Sequence, residues 1–65
     1  MKVTKLEKGI YRVQGKKSTV VCSNIGFWIA NLCEEYQDCT DSNSLGVAFD
    51  TFKQLKYWLS KFDNF

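Results

Sequence analysis

The alternation of apolar and polar positions divides this chain into short strand-like runs followed by one helix-like run. From Leu6 to Gln14, Tyr11 and Val13 fall on one side while Ile10, Arg12 and Gln14 fall on the other, which is the period of a strand. Gly9 interrupts that alternation and suggests a bulge. Gln14-Gly15-Lys16-Lys17 suits a hairpin turn, because Gly15 can take a positive φ at no steric cost. Ser18-Thr19-Val20-Val21-Cys22 has the β-branched density of a second strand, and Ser23-Asn24-Ile25-Gly26 supplies the next turn.

Two patterns compete over residues 25–36. Ile25, Trp28, Ile29, Leu32, Cys33 and Tyr36 recur at helical spacing. Gly26 and Asn31 disfavour a helix body, however, and Phe27 falls off the apolar stripe. The preferred reading is a strand, Phe27 to Leu32, pairing back on Val20-Val21-Cys22. The polar stretch 36–44 reads as a loop, and Leu45 to Phe49 as a short edge strand. Thr51 with Gln54 three residues later forms a capping box, which opens a helix. Phe52, Leu55, Leu59 and Phe62 line its core face with Trp58 at the border, while Lys53, Lys56, Tyr57, Ser60 and Lys61 lie outside. The expected fold is α+β: a three- to four-stranded antiparallel sheet packed on one C-terminal helix, a single domain over residues 1–65.

Composition adds a constraint. A chain of 65 residues buries only about 60% of its unfolded surface. An aromatic content of 15% offsets this, since large rings bury much area per residue fixed. Net charge is +2, yet it is segregated. Lys2, Lys5, Lys8, Arg12, Lys16 and Lys17 outweigh Glu7 in residues 1–17, whereas residues 18–50 hold Glu34, Glu35, Asp38, Asp41 and Asp50 and no Lys or Arg. Such a dipolar molecule can orient a charged partner.

No apolar run approaches the ~18 residues of a membrane span. Met1-Lys2-Val3-Thr4-Lys5 lacks a signal-peptide core, so a cytoplasmic location is expected. Cys22, Cys33 and Cys39 make an odd count, read here as reduced thiols, with Cys22 and Cys33 serving as small strand hydrophobes.

Catalytic chemistry finds little support. The absence of histidine removes the commonest general base and metal ligand. No Lys or Arg lies near a cysteine in sequence to activate it as a nucleophile. The thiol spacings match no zinc ribbon or finger, and Asp38 to Ser44 lacks the central Gly and terminal Glu of an EF-hand loop. The glycines are scattered, so no phosphate-cradling loop exists, and Glu34 and Glu35 would face opposite ways on a strand. The expectation is a non-enzyme with no catalytic residues, no cofactor and no metal.

Binding remains. Phe27 and Ile29 would point opposite to Trp28, Ala30 and Leu32, and Val20 opposite to Val21, so both faces of the central strands are apolar. One helix covers one face. The other then meets a larger protein, a second copy in a dimer, or the loop between Cys33 and Leu45. The partner-binding candidates are Phe27, Ile29, Glu34, Glu35, Asp38 and Asp41. The alternative is a nucleic-acid binder using Lys5, Lys8, Arg12, Lys16 and Lys17. Truncating a buried Trp28 to Ala would cost about 3–5 kcal/mol.

Two resemblances accompany these residues. Tyr11-Arg12-Val13, Trp28-Ile29-Ala30, Leu45-Gly46 and Phe49-Asp50-Thr51 occur in an order that resembles the AP2-type DNA-binding domain over residues 11–59. That family sets a three-stranded sheet in the major groove, and the resemblance implies DNA contacts from Arg12 and Trp28. A short chain without catalytic residues also looks like the small accessory proteins of bacteriophages. That likeness implies an inhibitory role on a host protein in the host cytoplasm, with Glu34, Glu35, Asp38 and Asp41 facing a basic groove.

Overall fold

The computed structural model describes residues 1–62 and 65. Five strands form one antiparallel meander in sequence order: β1 (Lys2–Glu7), β2 (Ile10–Gln14), β3 (Thr19–Asn24), β4 (Trp28–Asn31) and β5 (Ser44–Phe49). A single helix, α1 (Phe52–Ser60), follows. The α+β class and the C-terminal helix are as expected, with one more strand than the sequence suggested.

The extra strand is β1. What reads as one strand from Leu6 to Gln14 is broken by a turn at Lys8-Gly9, where Gly9 adopts φ 78°. A β-branched or bulky residue would be strained there, so glycine lets the chain reverse. The irregularity in the β1–β2 register lies between Lys5 and Glu7, not at Gly9. Gly15, by contrast, does not use a positive φ. Its missing Cβ leaves room for the backbone of Phe65, whose carbonyl accepts from the amides of Lys17 (2.8 Å) and Ser18 (3.0 Å).

Residues 25–36 are not helical. Asn24 and Trp28 pair across a three-residue turn, in which the Gly26 amide donates to Asn24 Oδ1 at 3.0 Å. β4 is shorter than the expected strand, so Phe27 belongs to the turn and Leu32 to the loop that follows.

Directly paired residues share a face, so register assigns the two sides of the sheet. On one side Val13 pairs with Val20, and Cys22 bridges Tyr11 and Ala30. These residues meet Leu55 and Leu59 of α1 in the core cluster, where Val13, Val20, Cys22, Ala30 and Leu55 are fully buried. Phe52 stacks between Tyr11 (4.7 Å) and Trp28 (4.9 Å). The capping box forms as expected: the Gln54 amide donates to Thr51 Oγ1 at 3.1 Å, and Thr51 N–H donates to Gln54 Oε1 at 3.2 Å. Phe62 departs from the expected core stripe. It follows the helix end, half exposed, edge-on to Trp58.

Candidate functional site

The side of the sheet away from α1 carries the row Arg12–Val21–Asn31. Val21 is fully buried, yet it stands outside the helix-side cluster. Its two cross-strand neighbours show what covers it. Arg12 Nε donates to the Glu34 carbonyl at 3.0 Å, and Asn31 Nδ2 donates to the Thr40 carbonyl at 2.9 Å. The segment between β4 and β5 therefore folds back over Val21, held on each flank by a polar side chain. Leu32 N–H donates to the Asn43 carbonyl at 2.8 Å, which closes the base of this loop.

A covalent bond tightens the cover. Cys33 and Cys39 form a disulfide with a Cα–Cα distance of 5.6 Å, closing a ring that holds Glu34, Glu35, Tyr36, Gln37 and Asp38. This corrects the expectation of reduced thiols. Odd parity leaves one cysteine over, and that one is Cys22, buried on the helix side. Further along, Thr40 N–H and Thr40 Oγ1 both donate to Asn43 Oδ1, at 3.0 and 2.8 Å. The loop is thus preorganised, so a partner would not have to supply the free energy of ordering it.

The next row on this outer side is Ile10–Ser23–Ile29–Ala48. Ile10 and Ile29 are half-buried and Ala48 is exposed. Beyond it, the β3–β4 turn presents Ile25 and Phe27, exposed by 59% and 43%. Ile29 and Asn31 are two residues apart on one strand, about 7 Å. One side of the molecule therefore carries an apolar strip, from Ile25 and Phe27 to Ile29, beside a loop bearing exposed Glu34, Glu35, Asp38 and Asp41.

All six partner-binding candidates thus fall on this side or at its end, with one correction: Phe27 is a turn residue rather than a strand residue. Of the covers expected for the apolar face, the chain's own loop takes the centre. Glu35 is engaged as well: its Oε1 lies 3.5 Å from Arg12 Nη2. An exposed pair of this kind contributes less than about 1 kcal/mol. Its use is to place the loop.

The basic candidates do not form one surface. Arg12 is held by Glu34 and Glu35, while Lys5 pairs with Tyr11 and so lies on the helix side. Lys8 sits in the β1–β2 turn, and Lys16 and Lys17 follow the opposite end of β2.

Sequence reasoning missed Leu32 and Tyr36, both large, apolar and exposed on or beside the disulfide ring. Their recurrence with Trp28 and Ile29 was visible, but it was absorbed into the competing helical pattern. Burial pushes the Cys22 thiol up to about 12, so it is no nucleophile near neutral pH. Among the described residues no three His, Cys, Asp or Glu side chains converge as a metal site. No helix there is long and apolar enough to cross a membrane.

No family model matches the chain, and neither a curated protein nor a solved structure matches it. The two resemblances rest on their own residues alone.

Proposed function

We propose that the chain is a non-enzymatic protein-binding module that docks a larger partner on its outer side, in the manner of the small bacteriophage accessory proteins that occupy a host protein. The observation that carries this reading is that exposed Ile25 and Phe27 at one end of β4 and a preorganised acidic loop at its other end belong to the same side of the molecule. Apolar anchors supply affinity once desolvated, and carboxylates at the rim select the partner. The complementary surface is an apolar pocket with a basic border.

The test is capture from native lysate by immobilised wild-type chain, compared with an Ile25→Ser/Phe27→Ser variant and a Glu34→Lys/Asp38→Lys variant. A defined protein retained by wild type and lost by both variants, with unchanged circular dichroism, supports the proposal. Equal capture by all three chains sinks it. Retention on DNA that falls steeply with salt would instead favour the nucleic-acid alternative, since phosphate contacts release counterions.

A further inference from the structure

The two edges of the sheet differ. β1 carries Lys2, Lys5 and Glu7, charges of the kind that discourage strand addition. β5 has no charged residue from Ser44 to Phe49, and among the described residues it pairs only with β4. A bulge between Ser44 and Ala48 disrupts its first half, leaving Val47 to Phe49 as the regular edge, with Asp50 just past its end.

Beside this edge runs an open groove of about 360 Å³, walled by Ala48, Phe49 and Asp50 on one side and by Gln54, Tyr57, Trp58 and Lys61 of the helix and its cap on the other. The four helix-side residues recur at i, i+3, i+4 and i+7, one continuous stripe. Tyr57 is exposed by 65%, more than any other large hydrophobic side chain among the described residues. Lys61 Nζ lies over its ring, 4.7 Å from the centroid.

The ends of the groove carry opposite charge. β5 runs toward Asp50, and α1 folds back so that its C-terminal end lies with Gly15 and Lys16 at the far end of the sheet. Asp50 therefore marks one end and Lys61 the other; the rise from Thr51 to Lys61 is about 15 Å, just under three helical turns. An antiparallel strand added at β5 needs a cation at the Asp50 end and an anion at the Lys61 end. A second copy turned about a two-fold axis supplies both, because its own Lys61 then meets Asp50 and its own Asp50 meets Lys61.

We propose that β5 pairs antiparallel with β5 of a second copy, so that two sheets join edge to edge and each Tyr57 packs across the groove on its counterpart. The axis stands perpendicular to the joined sheet. Both helices then lie on one side and both acidic loops on the other, which makes the outer side bivalent. The pairing does not depend on that side binding any partner.

The experiment is sedimentation velocity on the full chain over a concentration series at low salt, for wild type, Asp50→Lys, Lys61→Asp and the double exchange. Wild type is expected to dimerise. Each single reversal sets two like-charge contacts in the interface and should weaken association about ten-fold or more. The double exchange restores opposite charges and should return close to wild type, a recovery that a merely misfolded variant would not show. A monomer at every concentration overturns the proposal. So does a dimer that neither single reversal weakens, or a double exchange that stays as weak as the singles.

Discussion

Val20 and Val21 are adjacent in β3, and both are fully buried, yet they are sealed by different physics. Val20 faces α1 and shares a cluster with Val13, Cys22, Ala30, Leu55 and Leu59. Val21 faces the other way, between Arg12 and Asn31, each of which reaches a carbonyl of the covering loop. One seal is apolar area, a sum of many weak contacts with no single indispensable member. The other is a few directed bonds and one disulfide. The first fails by degrees, whereas the second is chemically reversible.

The largest test of this contrast is on the helix side. Leu55→Ala empties a fully buried site between helix and sheet and should cost about 3 kcal/mol, read from urea unfolding monitored by circular dichroism. A cost below about 1 kcal/mol would mean that the helix packs loosely, against the core cluster described above. On the loop side the counterpart is removal of the Cys33–Cys39 bond by reduction or by Cys33→Ser. Closing so short a ring restricts the unfolded chain little, so the expected loss is about 2 kcal/mol. The helix-side contacts should persist, with near-ultraviolet dichroism from Trp28 and Trp58 retained.

The same contrast explains what could be read from the sequence. The helix and its face were legible because Thr51, Gln54, Phe52, Leu55 and Leu59 act locally, through spacing alone. β4 could be chosen over a helix because Gly26 and Asn31 oppose helical propensity. β1 was obscured because it is an edge strand: Lys2, Lys5 and Glu7 dilute its alternation, and Lys8-Gly9 looked like an interruption rather than a reversal. The cover over Val21 had no local signature. It depends on Arg12 meeting residues 22 and 23 positions away, and on Cys33 and Cys39 being brought within bonding distance by the fold. The acidic residues of the candidate surface were found by composition, and their loop was one of the covers expected for the second face, but the Arg12 contacts that hold it there were not legible.

Alkali probes the helix side through Cys22. Its thiol is raised from 9.0 to about 12 by burial, so the folded state resists ionisation that the unfolded chain undergoes freely. The stabilisation is complete below 9.0 and is lost as pH climbs toward about 12. Unfolding free energy should therefore fall by about 1.4 kcal/mol per pH unit within that window. Cys22→Ala should remove that part of the slope. An identical alkaline slope in the two chains would show that the thiol is not desolvated.

The smallest expected effect is the most discriminating, because it sets the two valines against the same disulfide. Val20→Ala and Val21→Ala delete the same atoms from sites of equal burial, so their transfer terms are equal, about 1.6 kcal/mol for two carbons. They differ in what can move to fill the space. The core around Val20 is fixed by the helix whether or not Cys33 and Cys39 are joined. The loop over Val21 is held down by that bond, and once the bond is reduced it can settle into the cavity or admit water. The cost of Val21→Ala should accordingly fall by about 0.5–1 kcal/mol on reduction, while the cost of Val20→Ala stays constant, a coupling that a double-mutant cycle isolates. Equal costs for both valines in both redox states would mean that the disulfide does not hold the cover in place, and the two sides would then be sealed alike.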